Sequence, residues 1–190
     1  MWKTIKLAHL GYVKTSVRDY QNKKKYFSTK SIQNDSFIQE GEYDFQSRPS
    51  RANRLVKEGD VLQARMMNTD KCIIINKDLD DSLFSTGFFQ FRPPSNILSE
   101  YLFYIFKSKS FLDIKDSLCT GSTQKSLNDK MLLNINIPIP PLEEQKQIVK
   151  KLDVTFAEID KNIENLKKKM INLEKSKIHF IDLIIGNSHK

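Results

Sequence analysis

The sequence predicts an α+β protein: a mixed, partly barrel-like β-sheet domain with short helices, followed by one long coiled-coil α-helix. Three observations support this fold class. Short β-branched and aromatic runs fill the first half, apolar residues at helical spacing follow them, and a heptad pattern occupies the last part of the chain. We place the boundary near residue 140, which gives a domain over 1–140 and a helix over 141–186.

The strands are expected in the first half of the chain. The clearest ones are 61–64, 72–76 and 83–91, where β-branched and aromatic residues are concentrated. The acidic segment 77–81 and the sequence Glu58-Gly59-Asp60 separate these strands as turns. Short strands of this kind, joined by tight turns, predict a curved sheet.

Two short helices and a further strand should follow Arg92-Pro93-Pro94, where the apolar spacing changes. Apolar residues recur at helical spacing over 98–106 and again over 111–118. The aromatic side chains in the first of these helices, Tyr101, Phe103, Tyr104 and Phe106, are assigned to the core, since helical spacing favours packing over base stacking. Strand-like alternation then covers 135–137, and Pro138 closes it because proline cannot continue a ladder.

A long helix is predicted from Pro141, with Glu143 and Glu144 in its first turn facing the positive end of the helix dipole. Neither Gly nor Pro occurs between Pro141 and Ile184, so the helix should run for roughly 65 Å, and Gly186 marks its end. Ten apolar residues at alternating steps of three and four form a heptad seam: Val149, Leu152, Phe156, Ile159, Ile163, Leu166, Met170, Leu173, Phe180 and Ile184.

The heptad seam needs a partner helix, because an apolar stripe on a lone helix would remain in water. No second helix of comparable length is predicted in the chain. The partner should therefore come from another chain, most simply a second copy of this protein. The ten seam residues are the expected dimerisation contacts.

The charge balance favours a polyanionic partner such as nucleic acid or an anionic membrane face. Lys and Arg number 31 against 23 Asp and Glu, a net charge of +8. The absence of a signal peptide or a long apolar stretch predicts a soluble, cytoplasmic protein without membrane contact. Neither Cys72 nor Cys119 has a Cys or His at zinc spacing, so neither a disulfide nor a metal site is expected.

A run of motifs in the second half closely resembles the specificity subunits of type I restriction-modification systems. It consists of Gly121-Ser122-Thr123-Gln124-Lys125-Ser126-Leu127, then 133–145, then 148–153. The resemblance implies a target-recognition domain joined to a spacer helix, with the domain reading one half of a bipartite DNA site. The family's usual subunit has two such domains and two helices. We expect one of each here, hence a half-subunit that homodimerises or pairs with a different half.

The resemblance also implies the partners: double-stranded DNA, modification subunits that supply S-adenosylmethionine binding and adenine methylation, and a restriction subunit with nuclease and translocase activity. The chain itself is expected to be non-catalytic and without a cofactor. It contains no Asn/Asp-Pro-Pro-aromatic element or Walker loop, and its six glycines are scattered. Identical halves related by a twofold axis predict a palindromic target with a non-specific spacer.

The best candidates for reading bases lie in segment 46–54, because Arg pairs bidentately with guanine, and Asn or Gln with adenine. They are Gln46, Arg48, Ser50, Arg51, Asn53 and Arg54. The alternative is a surface loop whose arginines pair with acids such as Glu42 and Asp44. Lys23, Lys24 and Lys25 suit phosphate contact, although a lysine triplet is often only solvated.

Two further sites are open to two interpretations each. Gln124 and Lys125 either touch the DNA backbone or belong to a helix-capping turn held by Ser122 and Thr123. Arg65, with Gln63 and Asn68, either points into a groove or is partly buried against the acidic turn 78–81, and we favour burial.

Two rival functions predict different behaviour. A coiled-coil scaffold or non-specific nucleic-acid-binding protein would bind DNA without sequence preference. A small nuclease would need clustered carboxylates for a metal, and Asp78, Asp80 and Asp81 in one turn are a poor substitute.

Overall fold

A computed structural model describes residues 2–14, 17–33, 36–122 and 125–186. These residues divide into two compact units, with the division between Lys146 and Gln147. The first unit contains sheets and short helices, and the second consists of most of one long helix. The fold class predicted from the sequence is confirmed, although the sheets do not close into a barrel.

The described part of the first unit contains eleven strands and three complete α-helices, and it includes the start of a fourth helix. The strands are β1 (Lys3–Lys6), β2 (Lys24–Phe27), β3 (Ile32–Gln33), β4 (Ser36–Phe37), β5 (Gly41–Tyr43), β6 (Ala52–Leu55), β7 (Val61–Ala64), β8 (Cys72–Ile74), β9 (Leu83–Ser85), β10 (Phe88–Phe91) and β11 (Asn136–Ile139). The helices are α1 (Ser99–Lys107), α2 (Lys109–Ser117), α3 (Asp129–Leu133) and α4 (Leu142–Gly186).

Two sheets carry most of the strands. One has the order β5-β2-β9-β6, with β2 and β9 parallel and the other pairs antiparallel. The other has the order β10-β7-β8 and is antiparallel throughout. The segment 83–91, expected as one strand, is two strands in different sheets. The turn at Thr86-Gly87 lets the chain pass from one sheet to the other.

Aromatic side chains fill the core beside these sheets. The ring of Phe84 stacks on Phe27 with 5.2 Å between centroids, and Phe88 meets Phe84 edge-on at 6.0 Å. Phe106 of α1 packs against Phe91 of β10 at 5.2 Å. Phe84, Phe88, Phe91 and Phe106 are completely buried, so the cost of ordering them is offset by the removal of large apolar surfaces from water.

The aromatic residues assigned to the core behave differently along α1. Tyr101 and Phe106 are buried, whereas Phe103 and Tyr104 are half-buried and pack edge-on against each other at 5.3 Å. The assignment is thus correct for the face of α1 that meets the sheets. The other two rings lie at the margin of the core.

Strand β11 includes a proline, contrary to the expectation that Pro138 would end it. It pairs antiparallel with β1, with Thr4 opposite Pro138 and Lys3 opposite Ile139. The sheet has only these two strands, so β11 is an edge strand and the missing N–H of Pro138 can face its open side.

The start of α4 is attached to the first unit through the buried side chain of Gln145. Its Oε1 accepts a hydrogen bond from the backbone N–H of Leu98 at 2.9 Å. Its Nε2 donates to the carbonyl oxygens of Asn96 and Pro140 at 3.1 and 3.0 Å. Because the buried carboxamide is satisfied on both sides, it fixes where the helix begins.

A second buried polar group closes the turn before β7. The carboxylate of Asp60 is completely buried and accepts hydrogen bonds from Arg92 Nε and Nη2 at 2.7 and 2.8 Å. It also accepts from Gln90 Nε2 at 2.7 Å and from the backbone N–H of Lys57 at 2.9 Å. The hydrogen bond to Asp60 raises the pKa of Arg92. One carboxylate thus joins the turn to β10 and to the residue that follows it.

Helix α4 is 45 residues long, as the heptad pattern predicted. Every side chain described from Asp153 onward is exposed within its own unit. Among the described residues, none of the helices combines the length and apolarity that crossing a bilayer requires.

The Asp60 network predicts that Asp60→Asn destabilises the first unit by about 2–4 kcal/mol, because an amide NH₂ would face groups that are themselves donors. Urea unfolding followed by tryptophan fluorescence measures this loss. Asp78→Asn, the same change at an exposed position, is the control and should cost less than about 0.5 kcal/mol. Equal losses in the two variants would contradict the role assigned to Asp60.

Candidate DNA-binding surface

Several loops meet at one edge of the four-stranded sheet. Strands β2 and β9 are parallel and β6 is antiparallel to β9, so Thr29, Thr86 and Arg51 lie beyond the same ends of these strands. The backbone N–H of Thr86 donates to the carbonyl of Arg51 at 2.9 Å. A Cβ added at Gly87 would lie 2.9 Å from the Cγ2 methyl of Thr29, so Thr29 would have to move to accommodate a larger residue. The loops therefore form a contiguous surface.

The β7–β8 hairpin and the segment after Gly121 extend this surface. The backbone N–H of Arg65 donates to the carbonyl of Gly87 at 2.9 Å, and the carbonyl of Arg65 accepts from the backbone N–H of Leu127 at 2.9 Å. The backbone N–H of Met67 donates to the carbonyl of Lys125 at 3.0 Å. We call the resulting surface the loop edge. It consists of Thr29, Lys30, Arg51, Asn68, Thr86 and Lys125. Arg51 and Lys125, two of the residues predicted to contact DNA, are brought together here, and Arg65 lies immediately behind them.

Arg65 is half-buried, and its partner differs from the expected one. Its guanidinium lies 4.0 Å from the centre of the Phe89 ring and contacts the Asp129 carboxylate at 2.5 Å. The hydroxyl of Tyr12 donates to the other Asp129 oxygen at 2.6 Å. The prediction that Arg65 is partly buried is thus correct, but its acidic partner is Asp129 and not the turn 78–81. Asp81 of that turn pairs with Lys24 instead.

The environment of Asp129 favours its charged form. Burial raises the pKa of this carboxyl, but the hydrogen bonds from Tyr12 and Arg65 and the charge of Arg65 outweigh burial, so the pKa lies below its ordinary value. Burial and the hydrogen bond to Asp129 raise the pKa of the Tyr12 phenol. At neutral pH the cluster therefore contains an ionised Asp129 beside a protonated Tyr12.

Three of the candidate base-reading residues are engaged inside the domain. Arg48 donates from Nε to the carbonyl of Ala52 at 3.1 Å and from Nη1 to the carbonyl of Phe45. The guanidinium of Arg48 also lies over the Phe45 ring. Asn53 Oδ1 accepts from the backbone N–H of Val17 at 3.1 Å. Arg54 is 5% exposed and donates to the carbonyl of Val13 at 2.6 Å.

The segment 46–54 is therefore only partly a loop, because Asn53 and Arg54 belong to strand β6. The alternative interpretation, in which its arginines pair with Glu42 and Asp44, is also incorrect for the described contacts. Asp44 accepts instead from the backbone N–H groups of Gln46 and Ser47. Carbonyl oxygens and an aromatic ring, which carry no charge, account for the burial of Arg48 and Arg54.

Gln46, Ser50 and Arg51 remain exposed, and the described residues form no hydrogen bond with the guanidinium of Arg51. Lys23 and Lys25 are exposed as well, whereas Lys24 pairs with Asp81. The strand register places Lys24 opposite Tyr43. Lys23 and Lys24 thus lie at the opposite end of the four-stranded sheet from Arg51.

Of the pair Gln124 and Lys125, Gln124 and its neighbour Thr123 lie outside the described residues. Lys125 is exposed on the loop edge. The helix that follows is capped by Asn128, whose side chain accepts from the backbone N–H of Met131 at 2.9 Å. Ser122 is therefore not the cap. Sequence reasoning also missed α3 itself, which is only five residues long.

The heptad seam residues differ in their exposure. Val149 is 9% exposed and Leu152 is half-buried. The other eight are 44–69% exposed: Phe156, Ile159, Ile163, Leu166, Met170, Leu173, Phe180 and Ile184. A second stripe, of Ile171, Ile178, Ile181 and Ile185, is also exposed and follows its own steps of seven, three and four.

The comparisons with known proteins agree on one family. Residues 2–169 match the family described as type I restriction modification DNA specificity domain. The MjaVIII specificity subunit of Methanocaldococcus jannaschii is 33% identical over 137 residues, which are 69% of this chain and 31% of that protein. The EcoKI specificity subunit of Escherichia coli is 30% identical over 132 residues, or 65% and 28% of the two chains.

A solved structure shows the same fold. The crystal structure of the HsdS subunit from Thermoanaerobacter tengcongensis has a TM-score of 0.70 and 26% identity, covering 84% of this chain and 43% of that one. This chain thus spans about a third of the length of the curated relatives it matches and less than half of the crystallised subunit.

The pKa of Asp129 predicts part of the acid sensitivity of the fold. Because the folded-state pKa lies below the ordinary value of about 3.9, the stability it contributes is present above that pH and is lost as the pH falls through the lowered pKa. Asp129→Asn should therefore lose less stability between about pH 7 and about pH 3 than the wild-type chain. Urea unfolding at both pH values measures the difference, with the exposed Asp113→Asn as the control. An unchanged pH dependence in Asp129→Asn would refute this assignment.

Proposed function

Because this chain belongs to the family of type I restriction-modification DNA specificity domains, we propose that it reads one half of a bipartite DNA target and directs modification and restriction subunits to it. As a specificity domain it is a non-catalytic recognition component, and double-stranded DNA is its ligand. The observation that carries the proposal is the loop edge, where Arg51 and Lys125 are exposed on a surface that also presents hydroxyl and amide side chains.

The loop edge has the chemistry that base reading needs. Arg51 is exposed and its guanidinium is free to donate to the O6 and N7 atoms of a guanine. Its backbone is fixed by the hydrogen bonds that Thr86 and Asn53 donate to its carbonyl, each 2.9 Å long. A side chain on an anchored backbone loses less entropy on binding, which favours specific contacts. Ser50 precedes Arg51 in the sequence and Thr29 lies beside Gly87 at the same edge, so both can add hydroxyl contacts.

Phosphate contacts are assigned to exposed lysines on either side of the reading loops. Lys23 and Lys25 lie at one end of the sheet, and Lys30 and Lys125 lie at the loop edge. The +8 net charge of the chain supports such contacts, which position the protein on a duplex without reading its sequence.

The heptad seam is assigned to pairing with the helix of a second copy. Eight seam side chains are about half exposed or more in their own unit, and an identical helix offers the same apolar stripe. Two paired helices would hold two recognition domains a fixed distance apart. The target of such a homodimer is a palindrome interrupted by a spacer of fixed length. A separately encoded half with a matching helix would give an asymmetric target instead.

The second stripe is assigned to the modification subunit. Ile171, Ile178, Ile181 and Ile185 lie about 100° around the helix from the heptad seam, so one partner helix cannot cover both stripes. The last third of α4 therefore suits a bundle of more than two helices. A helix of the modification subunit is the simplest additional member, and the nuclease and translocase subunit would join through the modification subunits. We place this assembly in the cytoplasm, where its DNA substrate lies.

DNA binding by the chain assembled with a modification subunit tests the proposed function. Arg51→Ala should reduce discrimination at one base pair by about tenfold, since a bidentate contact contributes about 1–3 kcal/mol. Lys25→Gln should weaken binding to all duplexes alike and lower the slope of log K against log salt by about 0.9. Fluorescence anisotropy on target and scrambled duplexes measures both effects.

Lys109→Gln, which removes an exposed lysine paired with Asp113 on α2, is the control for these variants and should change neither quantity. Binding by the wild-type assembly that shows no preference for any duplex would reject sequence reading. It would favour a scaffold or a non-specific nucleic-acid-binding protein.

The assignment of the heptad seam predicts that the wild-type chain sediments as a dimer and Leu166→Glu as a monomer. A charge at the centre of the seam should raise the dissociation constant by at least about 100-fold, because it would be buried without a partner. Asn165→Glu introduces the same side chain one position away, off both apolar stripes, and should leave the dimer intact. Sedimentation equilibrium distinguishes the two. A dimer unaffected by Leu166→Glu would place the pairing surface elsewhere.

A further inference from the structure

A completely buried lysine on α2 holds the tip of the β7–β8 hairpin. Lys115 is 0% exposed, and its ammonium donates to the carbonyl oxygens of Met66 and Thr69, both at 2.8 Å. The carboxylate of Asp116 lies 3.0 Å from the same ammonium and also accepts from the backbone N–H of Asn68 at 3.2 Å. The Lys115–Asp116 ion pair thus binds the backbone of the loop at three residues, Met66, Asn68 and Thr69.

Other contacts complete the attachment of this hairpin. The ammonium of Lys71 donates to the carbonyl of Thr29 at 2.8 Å, and Lys107 pairs with Asp70 at 3.1 Å. The backbone N–H of Met67 donates to Lys125. Asn68, at the tip, has a φ of 58°, a left-handed conformation that asparagine tolerates better than most residues. The loop 65–71 is therefore held at both of its ends and at its tip.

Burying the ammonium of Lys115 has a free-energy cost, which suggests that the fixed geometry of the hairpin tip has a role. Removing an ammonium from water carries a large penalty, which only good geometry and full hydrogen bonding offset. Here the groups that offset it are the main-chain carbonyls of an exposed loop, and not another part of the core. Preorganising an exposed loop reduces the entropy lost when it binds a ligand. The buried lysine therefore indicates that the tip contacts a partner.

Asn68 provides the side chain that would make the contact. It is exposed, and among the described residues its carboxamide has no hydrogen-bond partner. A carboxamide pairs bidentately with N6 and N7 of adenine, and the major groove is wide enough for a two-stranded β-ribbon such as the β7–β8 hairpin. Both carboxylates near the tip are paired with lysines, Asp70 with Lys107 and Asp116 with Lys115, which reduces their repulsion of phosphates.

Resting on the proposed function, we propose that the β7–β8 hairpin enters the major groove, that Asn68 reads an adenine there, and that Lys115 is the positioning residue that sets its geometry. Lys125, joined to Met67 by a backbone hydrogen bond, then lies beside the groove where it can meet a phosphate. The hairpin adds a base contact separate from that of Arg51, on the same loop edge.

A selection from duplexes with random base pairs, followed by sequencing, tests this inference on the chain assembled with its modification subunit. Asn68→Ala should retain its affinity for DNA that lacks the motif but lose about tenfold of the preference for A·T at one position of the enriched motif. All other positions should keep their preference. Since Asn68 is exposed, the variant should fold, and its melting temperature should match that of the wild-type chain.

Lys115→Met tests the positioning role at nearly constant side-chain volume. It should lower the melting temperature and also lose preference at the same base pair as Asn68→Ala, while Lys109→Met on the same helix changes neither. A lower melting temperature with every preference retained would reduce Lys115 to a structural residue. If Lys115→Met fails to fold, Asn68→Ala still decides the assignment of the base contact.

The outcomes separate this inference from the proposed function. A wild-type assembly that enriches no motif contradicts the proposed function. A wild-type assembly that enriches a motif which Asn68→Ala leaves unchanged at every position supports the proposed function and overturns the reading role of Asn68.

Discussion

The exposed heptad seam of α4 is the constraint on which the rest of the account depends. Eight seam side chains from Phe156 to Ile184 are 44–69% exposed within their own unit, and burying an aliphatic or aromatic side chain of this size stabilises a structure by about 1.5–3 kcal/mol relative to full exposure. An exposed apolar stripe of this length favours a partner helix. In the proposed homodimer, pairing would hold two recognition domains a fixed distance apart, as a bipartite target requires.

Buried polar groups fix the local geometry of the first unit. Its buried polar groups, Asp60 and Gln145, satisfy their hydrogen bonds within the unit and fix one turn and the start of α4. The Lys115–Asp116 pair differs because it acts on an exposed hairpin. The arginines differ in the same way: Arg48, Arg54 and Arg65 bind other parts of the domain, whereas Arg51 is exposed.

How much the sequence could predict depended on how local each signal was. The period of apolar residues predicted α1, α2 and α4, because packing of a helix repeats along its own length. The split of 83–91 into β9 and β10 was not predictable, since both halves are buried and only their partners in two different sheets distinguish them. Pro138 was misinterpreted because the sequence does not reveal that β11 lies at the edge of its sheet.

The site was less predictable because its contacts join distant residues. Arg65 and Asp129 are 64 positions apart, and Arg54 and Val13 are 41 apart. The sequence does not show whether an arginine in a polar stretch is buried or exposed. Segment 46–54 could therefore be identified as a candidate, but its buried arginines could not be distinguished from its exposed one. Lys115 gave no signal at all, since it lies between Asp113 and Asp116 in what reads as the polar face of α2.

The most direct test of the central claim, that paired copies read a target in two halves, is to map adenine methylation across a genome at single-base resolution. The chain would be expressed with a matching modification subunit, as the wild type and as a variant with a broken heptad seam. If two copies pair through the heptad seam, the methylated motif is a palindrome, interrupted by a spacer of fixed length, that is absent in the variant. Methylation at an ungapped motif, or a gapped motif that survives in the variant, would contradict the claim.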